Sequence, residues 1–455
     1  MDQHPANLPL SKQIAYSFGQ FGWSLASYGV TNLISYFYFA PVEEGLPLFP
    51  TFVTQAPILG FLTLLGVLSA GGRVFDAITD PAIAFLSDRS KSRFGRRRLF
   101  MLIGGLPFAV FSVLVFVPVK AFPGPGNALW LSVTLFLFYL AMTVYVVPFT
   151  ALLSEIGHTS EDRLRLATMV SLAWAFGFAF GNQAFSLQHL FEAFLSPTRS
   201  FQATIALFAL VSLAAMYVPV FAIDENVYAR KTSTDEGVRR SIATTWRNRN
   251  FVAFSVADLM YWMALTIIQA GIGYYVPILL GLPGRMASAV MTAFFGASLL
   301  FYVPAQRLAS VYGKKALMRT SFLLFGLMFA LFFAGWLFRL NPWLRVALLV
   351  VPGAFPIAVF GIVPTAILAD IAEAHGRRTG VYKAGMFFGT RNLVRKLGVS
   401  FANLLFPSFL LLGRSFEEPV GVVLSVVTAG GLCVVGFLAF LFYREGDIVE
   451  ELAEV

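Results

Sequence analysis

Charge is scarce in this sequence, and sulfur and imidazole chemistry scarcer still. Asp, Glu, Lys and Arg together make up 13% of 455 residues, with one cysteine and four histidines. The lone Cys433 lies in an apolar run and excludes an internal disulfide framework. His4, His158, His189 and His375 fall in tails, loops or span ends without ligand spacing, so no metal centre, cofactor or catalytic histidine is expected. No nucleophile–base constellation stands out either, which argues against an enzyme. The net charge of +9 is carried by short loops between apolar runs rather than by a nucleic-acid-binding face.

Hydrophobic residues, at 58%, fill the space that charge leaves, and the mean hydropathy is +0.75. Apolar runs of about 20 residues recur along the chain, the length a helix needs to cross a bilayer. In lipid every backbone polar group must be satisfied within the segment, so the expected class is an all-α integral membrane protein. Twelve spans are expected, at 14–40, 57–87, 99–119, 129–154, 167–190 and 202–222, then 251–280, 287–307, 317–338, 345–374, 384–412 and 419–443. The polar start (Asp2 to Lys12) leads into an apolar stretch too long for a signal-peptide core, read as an uncleaved first span. The longest polar stretch, 223–250, divides an N-terminal half (1–222) from a C-terminal half (251–443), with a tail at 444–455.

Cations mark the sides. Arg89, Lys91, Arg93, Arg96, Arg97 and Arg98 follow the second span, and Arg163, Arg165, Lys314, Lys315, Arg377, Arg378 and Lys383 occupy loops on that same side. The other side holds little beyond Lys120, Arg199, Arg285, Arg339 and Arg414. This bias predicts a multi-pass protein of a plasma membrane, such as a bacterial inner membrane, with both termini and the central linker cytoplasmic. A repeat relates the halves: "FGRRRLFML" (Phe94 to Leu102) and "YGKKALM" (Tyr312 to Met318) are both aromatic–Gly–basic–basic turns entering a third helix. Two pseudo-symmetric six-helix halves joined by a cytoplasmic linker are the layout of the major facilitator transporters.

The second span carries charges that an apolar helix does not need. Arg73, Asp76 and Asp80 lie at i, i+3 and i+7 and share one face, with Thr79 beside them. Charge at membrane depth costs about 2.5–3.5 kcal/mol per residue and normally faces a cavity or a partner. A purely structural Arg73–Asp76 pair is the plainer reading, but it leaves Asp80 unexplained. Two carboxylates one turn apart relieve their repulsion by sharing a proton or binding a cation, which makes them a candidate coupling-ion site for Na⁺ or H⁺. At the end of this helix Asp88 sits among cations such as Arg96, and Arg73, Asp88 and Arg96 are candidate gating residues. Asp370 and Glu373 end the tenth span, and Arg391 and Arg395 stand one turn apart on the eleventh, together a candidate intracellular latch. Asp258 lies alone in the seventh span.

"YSFGQFG" in the first span, "RVFDAITDP" and "RSKSRFGRRR" in and after the second, and "ADIAEAHGRRTGVYKAGMFFG" with "VRKLG" near the eleventh resemble the glycoside–pentoside–hexuronide:cation symporter family of melibiose-permease type. The resemblance implies a cation-coupled symporter working by alternating access on a small organic solute, a sugar or glycoside. On the matching positions Asp76 and Asp80 are its cation-binding aspartates, Thr79 stands where that type has asparagine, Thr143 matches its hydroxyl ligand, and Lys396 a lysine near the cavity. The galactoside clamp is not kept: Ser24, Val146 and Thr150 replace its aspartates and tryptophan, and Ser171 stands near its arginine. Family relatives that carry lysophospholipids keep the same aspartates, so an amphiphile is the alternative cargo; a transport-inactive sensor or scaffold is a third class. Trp23, Tyr28, Asn32, Trp174 and Tyr261 are candidate cavity residues on either reading. A monomer in the bilayer is expected.

Overall fold

The computed structural model describes residues 8–43, 45–58, 60–158, 160–229, 246–379 and 384–453. Most of the expected linker (230–245) and residues 380–383 of the tenth-to-eleventh helix motif, Lys383 included, lie outside the described residues. The chain divides into two compact units, residues 1–58 with 63–234, and 235–455 with 59–62. The described residues are helical apart from turns, loops and two paired two-residue strands, Val42–Glu43 and Leu46–Pro47.

In the first unit α1 (Leu10–Tyr28) runs into a π turn (Gly29–Leu33) and a last helical turn, Ile34–Tyr38. It is followed by α2 (Leu64–Arg89), α3 (Arg96–Leu114), α4 (Pro125–Ile156), α5 (Ser160–Gly181) and α6 (Pro197–Ala222). In the second unit α7 (Arg249–Tyr274) also runs into a π turn (Tyr275–Leu280). Then come α8 (Ala287–Leu299), α9 (Lys314–Leu337), α10 (Pro342–Thr379), α11 (Ala384–Phe409) and α12 (Val420–Leu441). Proline at the first position opens α4, α6 and α10, where its missing N–H costs nothing. Thr63 opens α2 instead, its Oγ1 accepting from Gly66 N–H at 3.0 Å.

Helices occupy all twelve expected segments, but not every one passes as a simple span. Among the described residues eight are long and apolar enough to cross a membrane, and a ninth forms if Gly284–Leu299 and Tyr302–Tyr312, bent by 44°, count together. The other three, α1, α2 and α5, carry more polar residues, and α2 is the helix with Arg73, Asp76 and Asp80. The second span starts at Leu64 rather than 57, because Pro57 and Gly60 (φ +84°) interrupt the run before the Thr63 cap. The fifth breaks at Asn182–Gln183 and resumes as Ala184–Phe191.

The two units repeat one packing scheme. In the first, α1 packs on α5 and α6, α4 on α2 and α3, and α3 on α6. In the second, α7 packs on α11 and α12, α10 on α8 and α9, and α9 on α12. The aromatic–Gly–basic turns are equivalent in detail. Gly95 (φ +110°) and Gly313 (φ +84°) hold backbone conformations that side chains rarely adopt, just before α3 and α9. Glu225 accepts from the N–H groups of Arg97 (2.8 Å) and Arg98 (3.1 Å). Glu445 accepts from those of Lys314 (2.8 Å) and Lys315 (3.1 Å). Each helix start is thus capped by a carboxylate from the short helix that follows the last span of its own unit, where orphan N–H groups and the helix dipole favour negative charge.

Candidate functional site

The charged face of α2 meets α4. Asp76 is fully buried, and Thr143 Oγ1 donates to its Oδ1 at 2.6 Å. Thr79 Oγ1 donates back to the carbonyls of Phe75 and Asp76 (3.0 and 3.1 Å) and lies 3.4 Å from Thr143 Oγ1. One carboxylate and two hydroxyls therefore converge between two helices. An all-oxygen set of this kind suits a proton or a hard cation. Asp80 is half-buried one turn further along α2.

Arg73 turns away from this group. It donates to Thr31 Oγ1 at 2.7 Å, in the π turn after α1, and its guanidinium lies 5.2 Å from the centre of the Tyr139 ring. No ion pair of Arg73 is seen among the described residues. Gly72 admits the Tyr139 ring: a Cβ there would stand 2.3 Å from it.

At the basic end of the first unit the expected gate residues do gather, around a carboxylate that stands apart from them in the sequence. Glu155, at the end of α4 and 2% exposed, accepts from Arg97 Nε and Nη2 (3.1 and 3.0 Å) and pairs with Arg96 (2.9 Å). Arg97 also donates to Ser87 Oγ (2.6 Å) and pairs with Asp88. Arg98 donates to the Val220 carbonyl (2.8 Å) and reaches Asp224 (3.3 Å). Burial pushes the Glu225 carboxyl above its ordinary range, against the opposing pull of the Arg98 and Arg97 N–H groups. Glu155 carries the same signal as Asp88, a carboxylate closing an apolar helix.

In the second unit the latch pairs differently than expected. Arg391 makes a two-pronged pair with Asp258 of α7, both contacts at 2.9 Å, with Asp258 1% exposed. Asp370 instead pairs with Lys314, and Glu373 with Arg377 at 3.1 Å on the same helix. Arg395 lies over the Trp262 ring at 4.8 Å. A fork–fork guanidinium–carboxylate pair across two packed helices is a stronger union than an exposed i, i+4 pair, which explains the choice.

Several candidate cavity residues are committed inside their own unit. Tyr28 is buried and donates to Asn182 Oδ1 (2.7 Å); Asn32, also buried, donates to the Tyr28 carbonyl (3.1 Å). Tyr261 is buried and stacks on Phe360 at 4.1 Å. Trp23, Trp174 and Lys396 are half-buried, and Trp174 stacks on Phe178 at 5.2 Å.

Known proteins share both the sequence pattern and the fold. Residues 15–440 match the family model described as MFS/sugar transport protein. The inner membrane symporter YicJ of Escherichia coli is 27% identical over 59% of this chain and 57% of its own. The isoprimeverose transporter of Lactiplantibacillus pentosus is 24% identical over 58% of this chain and 52% of its own. The chain thus spans little more than half the length of either relative in these matches. The crystal structure of the nucleoside transporter NupG superposes with a TM-score of 0.64 at 14% identity, covering 96% of this chain and 100% of that one, a likeness of fold.

Proposed function

This chain belongs to the MFS/sugar transport protein family, and we propose that it is a cation-coupled secondary symporter in which inward movement of Na⁺ or H⁺ drives uptake of a small organic solute, a sugar or glycoside. Membership makes it a transporter rather than an enzyme. The observation that carries the coupling proposal is the buried Asp76 held at 2.6 Å by Thr143. A carboxylate taken wholly out of water is tolerated only when its charge is matched or neutralised. The oxygens of Asp76, Thr79 and Thr143, with Asp80 one turn away, form a set that a proton or a hard cation complements. Ion occupancy relieves the repulsion between the two aspartates and favours the solute-binding state. Coupling of this kind is reciprocal, so solute tightens ion binding by the same factor.

In the proposed working state twelve helices cross a bacterial inner membrane, with both termini and the basic ends of the helices in the cytoplasm and the chain acting as a monomer. The Arg96–Arg97–Glu155–Asp88 group holds the cytoplasmic ends of α2, α3 and α4 together and acts as the gate of the first unit; in the second unit that part falls to the Asp370–Lys314 and Arg391–Asp258 pairs. Trp23, Trp174 and Lys396 remain the better candidates for solute contact, since Tyr28, Asn32 and Tyr261 are buried in packing. Uptake into proteoliposomes, screened over sugars, glycosides and lysophospholipids, tests the cargo. Accumulation of a sugar or glycoside only when a cation gradient is imposed is expected. Gradient-driven accumulation of lysophospholipid and of no sugar would overturn the cargo assignment.

A further inference from the structure

A recess of about 210 Å³ opens at the basic end of the second unit, between the start of α7, the end of α10 and the short helix Glu445–Ala453. Pockets that enclose drug-sized ligands run to roughly 300–1,000 Å³; this one has room for a smaller group. Four arginines line it: Arg247, Arg249, Arg378 and Arg444. Two carboxylates face them, and each has a claimant. Glu451 pairs with Arg378 at 3.4 Å, and Asp447 with Arg444 at 3.9 Å. Arg247 and Arg249 make no ion pair with any described residue, so two positive charges are left over at the rim.

The recess is preformed. Asn250 and Arg444 exchange two hydrogen bonds: the Arg444 N–H donates to Asn250 Oδ1 (2.8 Å), and Asn250 Nδ2 donates to the Arg444 carbonyl (3.3 Å). Glu445, next in the chain, caps α9. The floor is made by Ile371 and Ile448, both buried. The short helix is therefore pinned at its start and along its apolar face, and the arginines stand on a fixed frame.

We propose that this recess binds the phosphate group of an anionic membrane lipid. Guanidinium groups are the side chains best matched to phosphate, through paired N–H donors. Basic pockets at the ends of membrane helices are where anionic headgroups settle. The proposal needs only that the helix ends meet a headgroup layer, so it stands independently of the cargo and the coupling ion.

The test is lipid retention by the full-length protein, followed by native mass spectrometry and by thermal stability in detergent supplemented with phosphatidylglycerol, phosphatidylcholine or inorganic phosphate. Phosphatidylglycerol is expected to be retained and to stabilise, and phosphatidylcholine not. The Arg247→Gln/Arg249→Gln variant is expected to weaken retention about tenfold or more, whereas Arg89→Gln/Lys91→Gln, in a basic loop of the first unit, leaves it unchanged. Equal retention of the two lipids, or equal loss in both variants, would overturn the proposal. Inorganic phosphate reproducing the full stabilisation would assign the site to a soluble anion and overturn the lipid. Should the first variant not fold, Arg247→Lys/Arg249→Lys keeps the charge and loses the paired donors, and an unchanged affinity there also counts against the site.

Discussion

Thr143 on α4 donates a 2.6 Å hydrogen bond to Asp76 on α2, joining two helices through a carboxylate that has no solvent exposure. Everything proposed for coupling depends on this contact, because it fixes which oxygen of Asp76 is held and leaves Thr79 beside it.

Removing the hydroxyl with Thr143→Val takes one oxygen from a Na⁺ site and is expected to lower the Na⁺ affinity about tenfold or more; if H⁺ is the coupling ion the proton affinity rises instead, because a hydrogen bond donated to the ionised carboxylate, worth about 1.5–3 kcal/mol, favours its charged form. Thr143→Ser restores the parent affinity. The measurement is uptake rate against ion concentration at fixed solute. An unchanged ion dependence in Thr143→Val would show that the hydroxyl only packs.

The two capping glutamates are expected to behave alike. Glu225→Ala and Glu445→Ala each lose about 0.5–2 kcal/mol of stability, the usual range for a helix start deprived of its cap, read by thermal unfolding in detergent. The Glu225 carboxyl is raised by burial, so the folded protein binds its proton more tightly than the unfolded chain does. Its contribution to stability is therefore full below the ordinary carboxylate pKa and is lost as pH rises through the raised folded value. Glu225→Gln should remove that acid-side slope.

The Asp258–Arg391 pair is buried enough that breaking one side exposes the other as an uncompensated charge. Asp258→Ala is expected to cost about 3–5 kcal/mol. Adding Arg391→Met should recover a large part of that loss, and a double-mutant cycle in thermal unfolding reads the difference. Strict additivity would mean the two groups do not act as a pair.

Much of the fold is legible in the sequence because membrane helices announce themselves by apolar length and by the side on which cations fall. A helix falls in each expected run, and among the described residues eight, or nine with the bent pair, are long and apolar enough to cross a membrane. The π turns after α1 and α7, the bend near Phe301 and the break at Asn182 are not legible, since they leave the composition unchanged. Asp76 stands out as a charge in an apolar helix. Thr143 does not, because a hydroxyl in such a helix is ordinary, and only the family resemblance points to it. Nearness in sequence directs Arg391 to Asp370 or Glu373, whereas its partner Asp258 lies 133 residues away on a helix that packing brings alongside. Glu225 is hidden for a similar reason, since it matters through the turn Gly95–Arg98, distant in the chain, whereas Glu155 closes an apolar helix as Asp88 does and only its partners are hidden.

The most direct measurement is solute accumulation against its own gradient in proteoliposomes, for the parent, Asp76→Asn and Asp80→Asn, with sodium and pH gradients imposed separately. Both variants are expected to remain folded and to lose gradient-driven accumulation, whichever ion drives the parent. If both still concentrate solute as the parent does, these aspartates are structural and the coupling site lies elsewhere.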